Sequence, residues 1–191
     1  MEQRLDDITH LVHGELVVTI KMDGANVKLT HERVTARNGE HASGRLFDRL
    51  KAMHASGAWE IPQGLEVFGE WLEIAHGTHY VGPLRLSSRL QVFAARRGSE
   101  WLSWEDTVGL GLPMVPLITT IDPRGQSARR VEAQLASIAE TAIEAGHEGI
   151  VVRSAHSFYD GQFAERTAKY VRAGYQAGAL FDRWLANEVG A

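Results

Sequence analysis

The segment at residues 20–27 (IKMDGANV) places a lysine at the end of an apolar run and a tight Asp-Gly turn shortly after it. The preceding residues 17–20 (VVTI) are typical of a buried strand, so we expect the stem of Lys21 to enter a cleft. A lysine amine that is partly shielded from water and held beside other cations can act as a nucleophile. The segment therefore predicts a reactive lysine between two strands, although Lys-x-Asp-Gly alone has many chance matches.

Four further segments carry a charged or aromatic side chain at a defined point of an apolar strand. They are residues 66–71 (EVFGEW), 90–93 (LQVF), 148–153 (EGIVVR) and 168–172 (AKYVR). The side chains in them that suit a nucleotide are Glu70, Phe93, Glu148 and Lys169. Carboxylates bind hydroxyls and metal ions, a lysine neutralises phosphate, and an aromatic ring stacks on a base. Taken singly, Glu70 is also compatible with a solvated strand face and Phe93 with an ordinary core.

In this order, the five segments resemble motifs I, III, IIIa, IV and V of the covalent nucleotidyltransferases, which are the polynucleotide ligases and RNA capping enzymes. The pattern Lys-x-Asp-Gly-x-Asn, ending at Asn26, and residues 69–80 (GEWLEIAHGTHY) are similar to the RNA ligase branch. That branch is typified by the phage ligase that seals nicks in duplex RNA and by the kinetoplastid editing ligases. Residues 101–103 (WLS) and 169–172 (KYVR) also match it, and the resemblance spans roughly residues 15 to 172.

The resemblance implies an ATP-dependent reaction in three steps. Lys21 attacks the α-phosphate of ATP, expels pyrophosphate and forms a lysyl-AMP. The AMP then passes to a 5′-phosphate end, and a 3′-hydroxyl displaces it to make a phosphodiester. Transfers of this kind depend on positioning and on neutralising negative charge. The implied cofactors are ATP and Mg²⁺ (or Mn²⁺), and the implied partner is RNA, as a nicked duplex or as broken ends.

The resemblance also implies a role for each matching residue. In the nucleotide pocket, Lys169 lies on the α-phosphate, Glu70 accepts from the ribose hydroxyls and Phe93 stacks on adenine. Close to the nucleophile, Glu148 holds the metal ion or orients the lysine, and Asp23 arranges pyrophosphate or metal. Three residues are candidates for substrate binding, and Asn26 is assigned to the nick. Arg37 lies in the segment 35–39 (TARNG), which resembles motif Ia, and reaches the nucleotide or the substrate end. Arg172 contacts phosphate or ends a strand.

Two positions depart from the pattern of the relatives. Ile20 precedes the lysine where many relatives have a Glu that contacts the adenine edge, so base selection must come from other groups. Val171 stands where relatives of the phage type have a second basic residue, and Arg172 follows one position later. These two departures concern adenine selection and the second phosphate contact, whereas the nucleophile matches the pattern.

Rival functions remain open at this stage. Within the enzymes, the rivals are a DNA ligase and a nucleotidyltransferase that uses GTP. From a different class, the rival is a module that binds nucleotides or RNA ends without sealing them. The P-loop pattern is absent, and the nine histidines lack the spacing of a zinc site.

The elements that must position these residues follow from the hydrophobic period. Short β-rich runs predict strands at residues 15–20, 25–30, 33–36, 65–71, 90–94, 149–153 and 167–171. Helical spacing predicts helices at residues 46–54, from Ser103 to before Pro113, from Ser127 to Gly146, and around residues 180–185. Strands without regular βαβ alternation predict an α+β fold, with two antiparallel sheets flanked by helices around a nucleotide cleft.

Composition fits a single catalytic domain over residues 1–191. There is no cysteine, which removes disulfides and thiol nucleophiles and suits a reducing cytoplasm. The chain has 20 Lys and Arg and 24 Asp and Glu, which gives a formal charge of −4. A site for nucleic acid would therefore require positive side chains clustered in one place. No apolar run has the length of a signal peptide or membrane span, and we expect a cytoplasmic protein with no membrane partner.

About 20 residues follow the last motif. Capping enzymes and DNA ligases carry an additional oligonucleotide-binding (OB) domain at that point, and we expect none here. A partner protein or domain is then expected to help hold the substrate.

Overall fold

The computed structural model describes residues 3–4, 8, 10–36, 42–176 and 178–190. Two sheets lie on either side of a cleft, as the α+β prediction requires. The strands are β1 Gln3–Arg4, β2 Leu16–Ile20, β3 Ala25–Leu29, β4 Val34–Ala36, β5 Leu65–Trp71, β6 Leu90–Arg97, β7 Glu100–Trp101, β8 Leu117–Ile121, β9 Gly149–Ser154, β10 Phe158–Tyr159 and β11 Thr167–Val171. The helices are α1 Asp48–Ala55, α2 Trp104–Val108, α3 Ala128–Glu144 and α4 Phe163–Arg166.

The first sheet has five strands in the order β1-β11-β9-β2-β8. Its pairings are antiparallel, except that the two-residue β1 runs parallel to β11. One face packs on α3, where Ile150 and Val152 of β9 share a fully buried cluster with Val131 and Leu135. Because side chains alternate along a strand, Val151 of β9 lies on the other face and lines the cleft.

The second sheet has six strands in the order β10-β7-β6-β5-β3-β4 and is antiparallel throughout. Along β5, burial alternates strictly, with Val67 and Trp71 in a separate apolar cluster that also contains Leu50 of α1. The intervening Phe68 and Glu70 face the cleft. The two cores therefore lie on the outer sides of the sheets and leave the inner faces for the site.

Most predicted elements are confirmed, with boundaries shifted by a few residues. Ser127 caps α3 by accepting from the backbone N–H of Arg130, and Ser103 caps α2 by accepting from Asp106. The helix predicted around residues 180–185 is wrong, because only a 3-10 turn forms there, at Phe181–Arg183. Tertiary contacts explain the difference. The Phe181 side chain packs against the core behind the second sheet, and the backbone bonds to residues 72–89 instead of forming a helix.

Backbone bridges join the C-terminal segment, residues 178–190, to the loops that follow β5. Ile74 bridges Ala186, and Leu86 bridges Val189. The buried Asn187 side chain accepts from the Tyr80 N–H at 2.9 Å and donates to the Leu72 carbonyl at 3.1 Å. Within the part of the chain described, no helix is long and apolar enough to cross a membrane.

Candidate active site

The strand pairing of the first sheet brings Lys21 and Glu148 together across 127 residues of sequence. Lys21 directly follows β2 and Glu148 directly precedes β9, and these strands are antiparallel neighbours. The Lys21 backbone N–H donates to the Gly149 carbonyl at 2.9 Å, which continues the ladder to the end of both strands. As a result the Lys21 Nζ lies 2.8 Å from the Glu148 Oε2. The lysine side chain remains 20% exposed, so a ligand can reach its amine.

Gly149 is the residue that lets this corner close. A Cβ at this position would overlap the backbone carbonyl oxygen of Tyr170 on the neighbouring β11. Only glycine allows β9 and β11 to approach so closely directly after Glu148. The glycine in the EGIVVR segment is therefore required by the packing of the sheet.

The cleft between the two sheets has a volume of about 540 Å³. That is within the usual range for a site that holds a small molecule. Its lining residues include Lys21, Asp23, Asn26, Glu70, Phe93, Glu148, Arg153 and Lys169. Besides Lys21, the structure describes seven candidate residues that the sequence predicted. Six of them line the same cavity as Lys21, and Arg172 does not.

Glu70 projects from β5 on the wall opposite the lysine. Its Oε1 accepts from the Asn26 Nδ2 at 3.4 Å, and its Oε2 is buried without a hydrogen bond in the described structure. Burial raises the pKa of Glu70 to about 8, against the opposing attraction of Lys21. A buried carboxyl group with an unused oxygen is poised to bind hydroxyl groups of a ligand.

Asp23 holds the loop after the nucleophile in place. Its Oδ2 accepts from the N–H groups of Gly77 and Thr78 at 2.5 and 2.7 Å, and from the Tyr175 hydroxyl at 2.5 Å. Its own N–H donates to the Tyr80 hydroxyl at 2.8 Å. These contacts tie the lysine loop to residues 76–80, and the arrangement of pyrophosphate or metal by Asp23 stays a prediction.

Lys169 and Phe93 line the cleft from different sheets. Lys169 lies on β11, where it pairs with Val151 of β9, and its charge lowers the pKa of Glu148. The net pKa of Glu148 is nevertheless raised, because burial outweighs the attraction of Lys21 and Lys169. Phe93 is half-buried on β6, with its ring facing the cavity.

Arg172 does not line this cavity. Arg172 is exposed after β11, and its guanidinium lies 5.1 Å from the centre of the Tyr175 ring. Its backbone N–H donates to the Glu148 carbonyl at 3.0 Å, so it lies directly behind the site. Arg37 lies outside the described residues, and its role remains a prediction.

Sequence reasoning missed two contributors. Arg153 lines the cleft with its guanidinium carbon 5.7 Å from the centre of the Phe93 ring and 5.6 Å from that of Trp104. An arginine at a cleft-facing position of an apolar strand could have signalled this role. Tyr175, which reaches Asp23 across 152 residues, carries no comparable signal in the sequence.

The carboxylates beside Lys21 suit a metal ion only together with the phosphates of a substrate. Among the described residues, no group of three or more His, Asp or Glu side chains is arranged to hold a metal ion. Magnesium in phosphate-transfer sites is commonly held by one or two carboxylates and by the phosphates of the substrate. Glu148, beside Lys21 in the cleft, fits that smaller donor set.

The chain is similar to one protein family and to several solved structures. The family model for RNA ligase matches residues 14–171. A comparison with curated proteins found no match. An archaeal ATP-dependent RNA ligase is similar in structure, with a TM-score of 0.61 and 20% identity over 90% of this chain and 47% of the other.

Two further solved structures show the same fold. A Naegleria gruberi RNA ligase variant with ATP and Mn has a TM-score of 0.56 and 16% identity over 92% of this chain and 56% of that one. A putative ATP-dependent DNA ligase from Aquifex aeolicus has a TM-score of 0.56 and 17% identity over 90% of this chain and 48% of the other. The chain thus spans about half the length of the structures that it matches.

Proposed function

This chain belongs to the RNA ligase family, and we propose that it joins RNA ends at the expense of ATP through a covalent adenylate on Lys21. The observation that carries the proposal is the 2.8 Å contact between the Lys21 Nζ and Glu148, at the side of a cleft large enough for a nucleotide. A nucleophile held by an orienting group in a cavity is the geometry that covalent catalysis requires.

In the first step, the Lys21 Nζ attacks the α-phosphorus of ATP. A phosphorus–nitrogen bond forms, the bond to the bridging oxygen breaks, and pyrophosphate leaves. Glu148 orients the amine, Lys169 offsets the negative charge on the α-phosphate, and Glu70 accepts from the ribose hydroxyls. Phe93 supplies a ring for the adenine to stack on.

In the later steps, a 5′-phosphate oxygen of RNA attacks the same phosphorus, and the lysine nitrogen leaves. A 3′-hydroxyl then attacks the RNA phosphate, and AMP departs as the phosphodiester forms. Asn26, at the mouth of the cleft beside Glu70, and Arg172, behind Glu148, are the described residues that we assign to the RNA end. Arg37 is proposed to act with them.

Mg²⁺ (or Mn²⁺) bound by Glu148 and the nucleotide phosphates would neutralise charge that builds up in each transfer. Asp23 is the second carboxylate near this position. The proposed setting is RNA repair in the cytoplasm, and an absence of cysteine is compatible with that compartment. We also propose that residues 1–191 form a single domain. A partner protein or domain is proposed to help hold the substrate.

The proposal is tested by covalent labelling. Purified protein is incubated with Mg²⁺ and α-labelled ATP, GTP or NAD, and the label that survives denaturation is counted. Label from ATP is expected, and Lys21→Ala should abolish it. Lys51→Ala is the matched control, because that lysine lies on the exposed side of α1 and pairs with Asp48.

A donor preference for GTP would replace ATP in the proposal. An absence of covalent label from every donor would leave only a binding module. Sealing of nicked RNA, nicked DNA and single-stranded RNA by the same preparation then identifies the substrate. A clear preference for DNA would overturn the assignment to RNA.

A further inference from the structure

An exposed tryptophan stands beside two arginines where the C-terminal segment passes the start of α1. Trp184 is 48% exposed, and the Arg45 guanidinium carbon lies 5.7 Å from the centre of its ring. Arg183 precedes the tryptophan and is exposed as well. We call these three residues the Trp184 surface; none of them lines the nucleotide cleft.

The backbone at Trp184 is in a conformation that bulky residues rarely adopt. Its φ and ψ are 49° and 37°, and it is the one residue other than glycine with positive φ in the described part of the chain. The left-handed region costs an ordinary residue roughly 1–2 kcal/mol. Such a backbone conformation at a bulky residue is a feature that clusters at functional positions.

Arg45, against the ring, and Arg183, next to Trp184 in the chain, both carry a positive charge. Within the described ranges, no carboxylate lies within 4 Å of the Arg45 or Arg183 guanidinium, so neither is neutralised by a salt bridge there. Arg49, one turn after Arg45, is 58% exposed and only 4.0 Å from Glu73. On a chain with a formal charge of −4, such a group of cations attracts anions locally.

Direct contacts connect this surface to the catalytic loop. The Phe181 ring lies 6.2 Å from that of Trp184 and 5.0 Å from that of His76. The next residue after His76 donates its N–H to Asp23, in the loop that follows Lys21. These contacts link the Trp184 surface to the loop that follows the nucleophile.

We propose that the Trp184 surface binds an unpaired nucleotide of the RNA substrate, with a base stacked on Trp184 and flanking phosphates on Arg45 and Arg183. The inference rests on the proposed RNA ligase function and specifies the class of RNA. Aromatic rings next to cations are the general device for binding single strands. Bases inside a duplex are already stacked and cannot cover the ring, so the surface favours ends with unpaired nucleotides over a continuous nicked duplex.

The test measures RNA affinity and adenylylation separately on the whole chain. A fluorescent 5′-phosphorylated single-stranded 12-mer RNA and a fully paired nicked RNA duplex are titrated without ATP. Trp184→Ala should weaken single-strand binding about five-fold or more and weaken nicked-duplex binding much less. Trp184→Phe should restore most of the single-strand affinity, because the ring is retained.

Tyr159→Ala is the matched control. Tyr159 is an aromatic residue on β10 that is 60% exposed, and no arginine lies against its ring in the described structure. Its single-strand affinity should equal that of the wild type. Equal weakening by both alanine variants, or unchanged binding in Trp184→Ala, overturns the proposed surface. Thermal unfolding of each variant separates loss of binding from loss of fold.

Failure of this inference is distinguishable from failure of the proposed function. If the wild type forms covalent adenylate but Trp184→Ala binds single strands normally, only the Trp184 surface is refuted. If the wild type forms no adenylate, the proposed function fails, whatever the RNA titrations show. A weakening that is equal for single strands and nicked duplexes would refute the assignment to unpaired RNA.

Discussion

Glu70 and Glu148 are two carboxyl groups in one cleft, and their surroundings give them different properties. Glu148 accepts a hydrogen bond from Lys21 and so keeps a partner for its negative charge. Glu70 has a long contact to Asn26 and one oxygen without a described hydrogen bond. Burial therefore raises its pKa to about 8, so that near neutral pH the empty site favours the protonated form. Nucleotide binding must supply donors before this group can serve as an acceptor.

Glu70 should make the stability of the protein depend on pH. Between pH 4.5 and 8 the folded protein retains a proton that the unfolded chain has released, so stability falls as the pH rises through this window. Relative to Glu70→Gln, the wild-type free energy of unfolding should decrease by up to about 1.4 kcal/mol per pH unit. Urea unfolding of both proteins from pH 5 to 8.5 measures the difference. A constant difference across this range would show that Glu70 titrates at its ordinary pKa.

At the scale of elements, the site depends on the close approach of β9 to its two neighbours. β9 carries Glu148 at its start, pairs with β2 beside Lys21, and pairs with β11 beside Lys169. Gly149 sets this approach, because no side chain fits between it and the Tyr170 carbonyl. The distances among Lys21, Glu148 and Lys169 therefore depend on how closely β9 approaches β2 and β11.

Gly149→Ala should therefore damage stability and activity together. The added methyl group must push β9 and β11 apart, at a cost of about 1–3 kcal/mol or more, and must displace Glu148 from Lys21. Covalent labelling with ATP should fall at least ten-fold, measured with thermal unfolding on the same sample. Gly161→Ala, at a position with open space around it, is the control and should behave as wild type.

The C-terminal segment contributes to the site through Asn187 and Tyr80. Asn187 holds the backbone of Tyr80, whose hydroxyl accepts from the Asp23 N–H. Asn187→Ala leaves the buried Tyr80 N–H and Leu72 carbonyl without these partners, and should cost about 1–3 kcal/mol of unfolding free energy. Chemical denaturation measures this loss. Asp182→Ala, on the exposed 3-10 turn of the same segment, should change the stability by less than about 0.5 kcal/mol.

At the scale of the molecule, negative charge slightly exceeds positive charge, and cations lie in the cleft and at the Trp184 surface. The formal charge is −4, yet Lys21 and Lys169 line one cleft, and Arg45 and Arg183 belong to the Trp184 surface. We therefore expect RNA to be held at these few positions. Binding should depend on correct placement of an end more than on general electrostatic attraction.

This distribution predicts a moderate dependence of RNA affinity on salt. Three to five phosphate contacts on single-stranded RNA correspond to a slope of roughly −2 to −3.5 in a plot of log affinity against log salt. Fluorescence titrations from 50 to 300 mM KCl give the slope. Arg45→Ala should reduce its magnitude by about 0.7, and a wild-type slope steeper than about −5 would contradict the picture of a few local contacts.

The sequence determined the local elements and the order of the reactive residues. A short run of strand-forming residues predicted β5, serine caps predicted the starts of α2 and α3, and the ordered segments around Lys21 and Glu148 predicted the family. These features depend on neighbours within a few positions, and such neighbours are visible in a linear chain. The five-residue strand β8 was not predicted. Nor were the two-residue strands β7 and β10, because strands so short exist only through their partners.

Tertiary structure alone decided which distant side chains meet. The contact of Lys21 with Glu148 spans 127 residues, and that of Tyr175 with Asp23 spans 152. Both depend on strand register and on packing of the whole chain, which no local period encodes. The same packing turned the expected C-terminal helix into a segment that supports the lysine loop and exposes Trp184, since burial of Phe181 and Asn187 outweighs local helical preference.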